Sequence, residues 1–104
     1  MSTRLEQLRK LAEKNPRDPF LHYAMALELK KAGELDAALD ALRKTLELDA
    51  DYLYAYYQLG QVEELRGQAG AARSAYESGI RRATSKGDLK ALGELRTALS
   101  GLTG

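Results

Sequence analysis

The side chains that could catalyse a reaction are few and scattered along the chain. His22 is the single histidine, and the absence of cysteine excludes disulfides, thiolate metal sites and a cysteine nucleophile. General acid–base catalysis by His22 would need a partner group and a pocket, and one histidine with dispersed carboxylates supplies no cluster of metal ligands. We therefore predict no catalytic residue, no metal site and no cofactor.

Two further groups of residues could bind a charged ligand, but both have simpler interpretations. Asp36 and Asp40 are one helical turn apart, which is typical of carboxylates on a solvated helix face. Gly60, Gly67 and Gly70 do not form a phosphate-binding loop, because no Lys-Ser or Lys-Thr pair follows at the required interval and no strand precedes them. Neither group indicates a nucleotide or metal ligand.

The charge balance disfavours nucleic acid as a partner. Lys and Arg number 16 and Asp and Glu number 15, for a net charge of +1, and the two signs alternate along the sequence. Arg81-Arg82 is a two-residue basic spot near a predicted helix end, where the helix dipole attracts cations without any ligand. Because nucleic-acid binding usually rests on clustered Lys and Arg, we expect no nucleic acid to bind.

The length and hydropathy of the chain predict one soluble domain. With 104 residues the chain fits a single domain. No apolar run approaches the roughly 20 residues that span a bilayer, and the chain opens on an amphipathic segment instead of a signal-peptide core. We expect no membrane association, and the lack of cysteine fits a cytoplasmic location.

A 34-residue internal repeat organises the sequence. The segment Gly33-Glu34-Leu35-Asp36-Ala37-Ala38 is matched 34 residues later by Gly67-Gln68-Ala69-Gly70-Ala71-Ala72. In each copy a glycine can end one helix in the left-handed conformation, and two alanines follow in a second helix that can pack closely against the first. Other aligned pairs keep their size class, among them Tyr23/Tyr57, Met25/Leu59, Ala26/Gly60 and Leu42/Tyr76. Two helices per 34-residue unit are typical of one helical-repeat architecture.

At these residues the chain resembles the tetratricopeptide repeat family. The family's intervals are matched by Tyr56-x-x-Leu59-Gly60 and Ala72-x-x-x-Tyr76 in the second unit, and by His22-x-x-Met25-Ala26 and Ala38-x-x-x-Leu42 in the first. The resemblance covers roughly residues 19–84 and places His22 at an aromatic packing position. It implies an all-α fold: a right-handed α-α superhelix (solenoid) of two helix-turn-helix repeats, with an extra N-terminal helix and a C-terminal capping helix, about six helices in all.

The predicted segments are 1–18 for the N-terminal helix, 19–50 for repeat 1, 51–85 for repeat 2, and 86–104 for the capping helix and tail. Asp18 and Asp51 are the predicted N-caps of the first helix in each repeat. Apolar stripes predict that the terminal helices cover the ends of the stack. They comprise Leu5, Leu8, Leu11 and Ala12 at one end and Leu89, Leu92, Leu95, Ala98, Leu99 and Leu102 at the other.

The resemblance also implies a binding surface, because the first helices of these repeats line a concave groove that holds a peptide or a partner helix. The matching positions are Phe20, Tyr23, Leu27, Lys30 and Lys31 in repeat 1, and Tyr54, Tyr57, Gln61, Glu64 and Leu65 in repeat 2. Aromatic rings suit such a surface because they offer a large contact area with few bonds to freeze. The alternative is that several of these rings pack in the core.

We therefore predict a non-catalytic module that binds a peptide or helix of another protein, as a monomer or weak homo-oligomer. The carboxylate-clamp specificity of the family is rejected, because Tyr23 and Leu27 occupy the positions of its first Lys and Asn. The alternative function is a homo-oligomerising structural or scaffold protein, with a nucleic-acid binder or an enzyme ranked below both.

Overall fold

The computed structural model describes residues 3–102, and that part of the chain forms six α-helices and no strand. The helices are α1 (Thr3–Lys14), α2 (Pro19–Lys31), α3 (Leu35–Leu48), α4 (Leu53–Leu65), α5 (Ala69–Lys86) and α6 (Leu89–Ser100). The all-α prediction and the number of helices are confirmed. Residues 1–2 and 103–104, which belong to the predicted N-terminal segment and tail, lie outside the described residues.

The helices are grouped into two compact units, which meet in sequence between Ala50 and Asp51. In the first unit α2 packs against both α1 and α3, and Leu8 and Ala12 of α1 form a buried cluster with Leu21 and Ala24 of α2. In the second unit α5 packs against α4 and α6, and α4 also contacts α6. Each unit thus holds one helix pair and one additional helix. That the whole chain is a single domain stays a prediction.

The same turn joins the two helices of each pair. Gly33 and Gly67 have φ angles of 80° and 75°, in the left-handed region that glycine adopts without steric cost. The backbone N–H of Glu34 donates to the carbonyl of Leu29 at 2.9 Å, and the equivalent bond in the second pair measures 2.8 Å. These bonds form a Schellman motif, which satisfies carbonyls left without partners at a helix end. The predicted role of the two glycines is confirmed.

Of the two predicted N-cap residues, Asp18 is confirmed and Asp51 is not. Asp18 caps α2, since its Oδ1 accepts a hydrogen bond from the N–H of Phe20 at 3.0 Å. The prediction for Asp51 is wrong, because α4 begins without any side-chain cap. The Asp51 carboxylate instead pairs with two cations near the end of α5, Arg82 at 3.3 Å and Lys86 at 3.8 Å.

The predicted terminal stripes are only partly correct. Leu11 is 48% exposed and Leu89 is 79% exposed, although both were assigned to buried faces. α6 packs through Ala91 and Leu95, each 1% exposed. Because successive helical residues are about 100° apart, Leu89 points away from the face that Ala91 presents. The rest of the predicted C-terminal stripe is confirmed, since Leu95 is buried and Leu92, Ala98, Leu99 and Leu102 are half-buried. The prediction is wrong for Leu89 and misses Ala91.

A close contact between helices in the second unit joins Gly60 of α4 to Tyr76 of α5. A Cβ atom at position 60 would lie 2.2 Å from the Tyr76 ring, and Tyr76 is fully buried. The equivalent residues of the first unit, Ala26 and Leu42, are 1% and 0% exposed. One repeat thus combines glycine with a large ring where the other combines alanine with leucine, as expected if the core volume is to be conserved.

The variant Gly60→Ala should lower the free energy of unfolding by about 1–3 kcal/mol, because its methyl group overlaps the Tyr76 ring. Adding Tyr76→Leu should recover part of this loss, since the double variant carries the Ala–Leu combination of the first unit. Urea unfolding of both variants measures the effect. A Gly60→Ala protein as stable as the parent would contradict this account of the packing.

Ala72 of α5 offers a second probe of close packing, because it is 0% exposed, as is its counterpart Ala38 in α3. Ala72→Leu should overpack the second unit and lower the unfolding free energy by about 1–3 kcal/mol. The matched control is Ala71→Leu, one residue earlier on the exposed face of α5. Equal stability of the two variants in urea would show that residue 72 is not at a close contact.

Candidate functional site

The predicted site residues of repeat 1 all lie on α2, in the first unit. Phe20 is 54% exposed and Lys31 is also exposed, whereas Tyr23, Leu27 and Lys30 are half-buried. Burial lowers the pKa of Lys30, because it disfavours the charged form of the amine. Of the two aromatic rings in this set, Phe20 is the one that presents most of its surface to solvent.

The single histidine has a structural partner near the start of the same helix. His22 is half-buried, and its Nε2 lies 3.0 Å from the carbonyl oxygen of Pro16 in the connection between α1 and α2. A carbonyl oxygen only accepts, so the Nε2 carries the proton and donates. This bond ties the connection to α2 and accounts for the histidine without a catalytic role.

The predicted site residues of repeat 2 lie on α4, in the second unit. Leu65 is 60% exposed and Glu64 is exposed, whereas Tyr54, Tyr57 and Gln61 are half-buried. Each of the two predicted sets therefore lies on the first helix of its pair. That the two sets line one common groove stays a prediction.

Two of the α4 residues also contact a buried tyrosine of α5. The Tyr76 hydroxyl donates a hydrogen bond to Oε2 of Glu64. The Tyr57 and Tyr76 ring centroids are 6.2 Å apart with an interplanar angle of 56°, which is a favourable tilted arrangement. Burial, followed by the hydrogen bond to and the charge of Glu64, raises the pKa of Tyr76. The hydroxyl therefore stays protonated at neutral pH and holds Glu64 in place.

Tyr57 also lines a hollow of about 270 Å³ between α4 and α6. We call this space the α4–α6 hollow; its lining residues are Tyr57, Gly93, Glu94, Thr97 and Ala98. A second hollow of about 180 Å³ is lined by Glu64, Gly67, Ala69, Gly101 and Leu102. The α6 residues of the hollow are absent from the predicted site, because the leucine stripe of α6 indicates only a cover for the stack. The available signal was Gly93, a glycine in the middle of an otherwise regular helix.

Gly93 borders open space in the α4–α6 hollow. A Cβ atom at this position would meet no atom within 4 Å among those that the structure describes. Packing therefore does not require glycine here, in contrast to Gly60, and an interior helical glycine costs roughly 0.5–1 kcal/mol relative to alanine. Glycine at this position therefore lowers the stability of α6 without a packing contact that requires it.

The variant Gly93→Ala should raise the free energy of unfolding by roughly 0.5–1 kcal/mol, because alanine restricts the unfolded chain and clashes with nothing. The sign is opposite to that expected for Gly60→Ala, so the two variants control for each other in the same urea experiment. Destabilisation by Gly93→Ala would mean that another group occupies the hollow.

Two classes of site receive no support from the described residues. Between residues 3 and 102, no group of three or more His, Cys, Asp and Glu side chains could hold a metal ion. None of the six helices combines the length and the apolar character needed to cross a membrane. The cytoplasmic location stays a prediction.

Comparison with known proteins places the chain in a class of helical-repeat proteins. No family model matches the chain. The solution structure of protein BPP2914 from Bordetella parapertussis is similar, with a TM-score of 0.85 and 30% identity over 98% of this chain and 89% of its own. A tetratricopeptide repeat domain protein from Salinibacter ruber has a TM-score of 0.79 and 36% identity, over 86% of this chain and 90% of its own. The chain belongs to the tetratricopeptide repeat family.

A third similar structure concerns ligand binding directly. YrrB is described as a TPR protein with an unusual peptide-binding site, and it matches with a TM-score of 0.72 and 31% identity. The match covers 92% of this chain and 50% of the YrrB chain. The predicted family and the helical-repeat fold are confirmed by these comparisons.

Proposed function

We propose that the chain is a non-catalytic protein–protein interaction module, which binds an extended peptide or a helix of a partner protein. The observation that carries the proposal is the exposure of large apolar side chains on the first helix of each pair. Phe20 on α2 is 54% exposed and Leu65 on α4 is 60% exposed. Their own units do not bury these side chains, so a partner can gain free energy by covering them.

The neighbouring tyrosines support the same function. Tyr23 on α2 and Tyr54 and Tyr57 on α4 are half-buried, so each ring is partly held by the fold and partly accessible. A ring that is already ordered loses little conformational freedom on binding, and its hydroxyl can form hydrogen bonds with a peptide backbone. Burying a side chain such as Phe20 or Leu65 completely contributes roughly 1.5–3 kcal/mol. Several such contacts suffice for moderate affinity.

Family membership and the description of YrrB as a peptide-binding TPR protein make a peptide the ligand class that we propose here. We propose one set of binding residues on each unit. In the first unit they are the α2 residues Phe20, Tyr23, Leu27, Lys30 and Lys31, and in the second unit they are the α4 residues Tyr54, Tyr57, Gln61, Glu64 and Leu65. The charged members, Lys30, Lys31 and Glu64, would contribute to specificity more than to affinity.

The test uses peptides that the wild-type chain selects from a random display library. Phe20→Ala and Leu65→Ala should weaken the binding of selected peptides about fivefold or more, because an apolar anchor costs over about 1 kcal/mol when truncated. Both side chains are mostly exposed, so the melting temperature should change little. Fluorescence anisotropy of labelled peptides measures the dissociation constants.

The matched control is Leu89→Ala, because Leu89 is 79% exposed but begins α6, outside the proposed surface. This variant should bind the selected peptides as the wild type does. Failure of the library to yield any binder would contradict the proposed function, and so would normal binding by both the Phe20 and Leu65 variants.

A further inference from the structure

The α4–α6 hollow contains an uncompensated negative charge beside an aromatic ring. Glu94 lines the hollow together with Tyr57, and its side chain is half-buried. Among residues 3–102 the Glu94 carboxylate forms no hydrogen bond and no ion pair. No lysine or arginine belongs to the lining of the hollow in the same part of the chain. A half-buried carboxylate in this situation favours a cation from outside the unit.

The two basic residues of α6 nearest in sequence do not neutralise this charge. Lys90, one helical turn before Glu94, and Arg96, two residues after it, are both exposed and form no ion pair within the described residues. The second hollow adds a further carboxylate, Glu64, which accepts a hydrogen bond from Tyr76. Each of these two hollows is thus lined by an acidic side chain, and neither is lined by a basic one among residues 3–102.

We propose that the α4–α6 hollow binds an arginine side chain of the partner segment. This inference rests on the proposed function, because the arginine belongs to the peptide bound there. The planar guanidinium can stack on the Tyr57 ring while it donates two hydrogen bonds to the Glu94 carboxylate. A lysine ammonium offers only a point charge and no planar stacking surface, which makes arginine the better match.

The other lining residues fit the rest of an arginine side chain. Gly93 and Ala98 provide a surface without bulk, along which the apolar stem of an arginine can lie. The Thr97 hydroxyl donates its hydrogen to the carbonyl of Gly93 at 2.9 Å, so its remaining lone pair is available to accept an N–H of the guanidinium. An arginine side chain would then fill the open space beside Gly93, which no side chain of the described residues fills.

The first experiment is independent of any peptide selection. N-acetylarginine amide is titrated at millimolar concentration into the isotopically labelled chain, and amide chemical shifts are followed by NMR. Saturable shifts are expected at residues 57, 93 and 97, and N-acetylcitrulline amide, which is isosteric but neutral, should not reproduce them. Absence of saturable shifts, or equal shifts with citrulline, would overturn the proposal.

The second experiment uses a library-selected peptide that contains arginine, together with its citrulline analogue. Glu94→Gln should weaken the arginine peptide about tenfold or more, because a charge-assisted hydrogen bond is lost. The same Glu94→Gln variant should change the affinity for the citrulline peptide by no more than about twofold. The effects of changing Glu94 and of replacing the arginine are then not additive, as expected if the two groups contact each other. The matched control is Glu77→Gln, an exposed carboxylate on α5 outside both hollows, which should leave both peptides unaffected.

A third variant fills the hollow without disturbing the fold. Gly93→Met adds a side chain where a Cβ atom meets nothing within 4 Å, so the melting temperature should not fall. The arginine peptide should bind about tenfold or more weakly to it. Wild-type affinity in this variant would overturn the proposal.

The two proposals fail in different ways. Peptides that depend on Phe20 and Leu65 but bind equally well with arginine or citrulline would overturn the arginine site and leave the interaction module intact. Binding of N-acetylarginine amide in the hollow without any selected peptide would support the arginine site and count against the wider peptide surface.

Discussion

Two helices can pack as closely as α4 and α5 do only where one of them carries almost no side chain. Gly60 supplies that position, and the Tyr76 ring fills the space. Because the ring is fixed there, its hydroxyl reaches Glu64 and the ring lies in a tilted arrangement against that of Tyr57. Tyr57 in turn forms one wall of the α4–α6 hollow. The proposed binding surface of the second unit therefore depends on a contact in its core.

The sequence predicts the features that repeat or that depend on local chemistry. Gly33 and Gly67 recur at a fixed interval and end their helices in the same Schellman turn, because a left-handed residue is needed there. Asp18 was predictable as a cap since the residues that it serves follow it directly in sequence. Such signals depend on neighbouring residues only, so they can be recognised without knowledge of the tertiary structure.

Features that depend on residues distant in sequence could not be predicted. The partners of Asp51, Arg82 and Lys86, belong to a different helix, and nothing near Asp51 in the sequence indicates them. The same holds for Glu64, whose hydrogen-bond donor is twelve residues away on α5. For α6 the stripe of leucines predicts the helix and most of its buried face, but it includes the exposed Leu89 and omits the buried Ala91. Size alone was a poor guide to burial there.

The two repeats differ at one core position in a way that affects the stability of the fold at alkaline pH. Where the first unit buries the hydrocarbon side chain of Leu42, the second buries the phenol of Tyr76, whose pKa is raised by its surroundings. An unfolded tyrosine ionises near pH 10, whereas the folded one resists ionisation. Below about pH 10 the phenol makes its full contribution to the free energy of unfolding. Above it this contribution declines with rising pH, because the unfolded chain releases a proton that the folded chain retains. At this core position the second unit therefore carries a group that makes its stability sensitive to strong base, whereas the first unit does not.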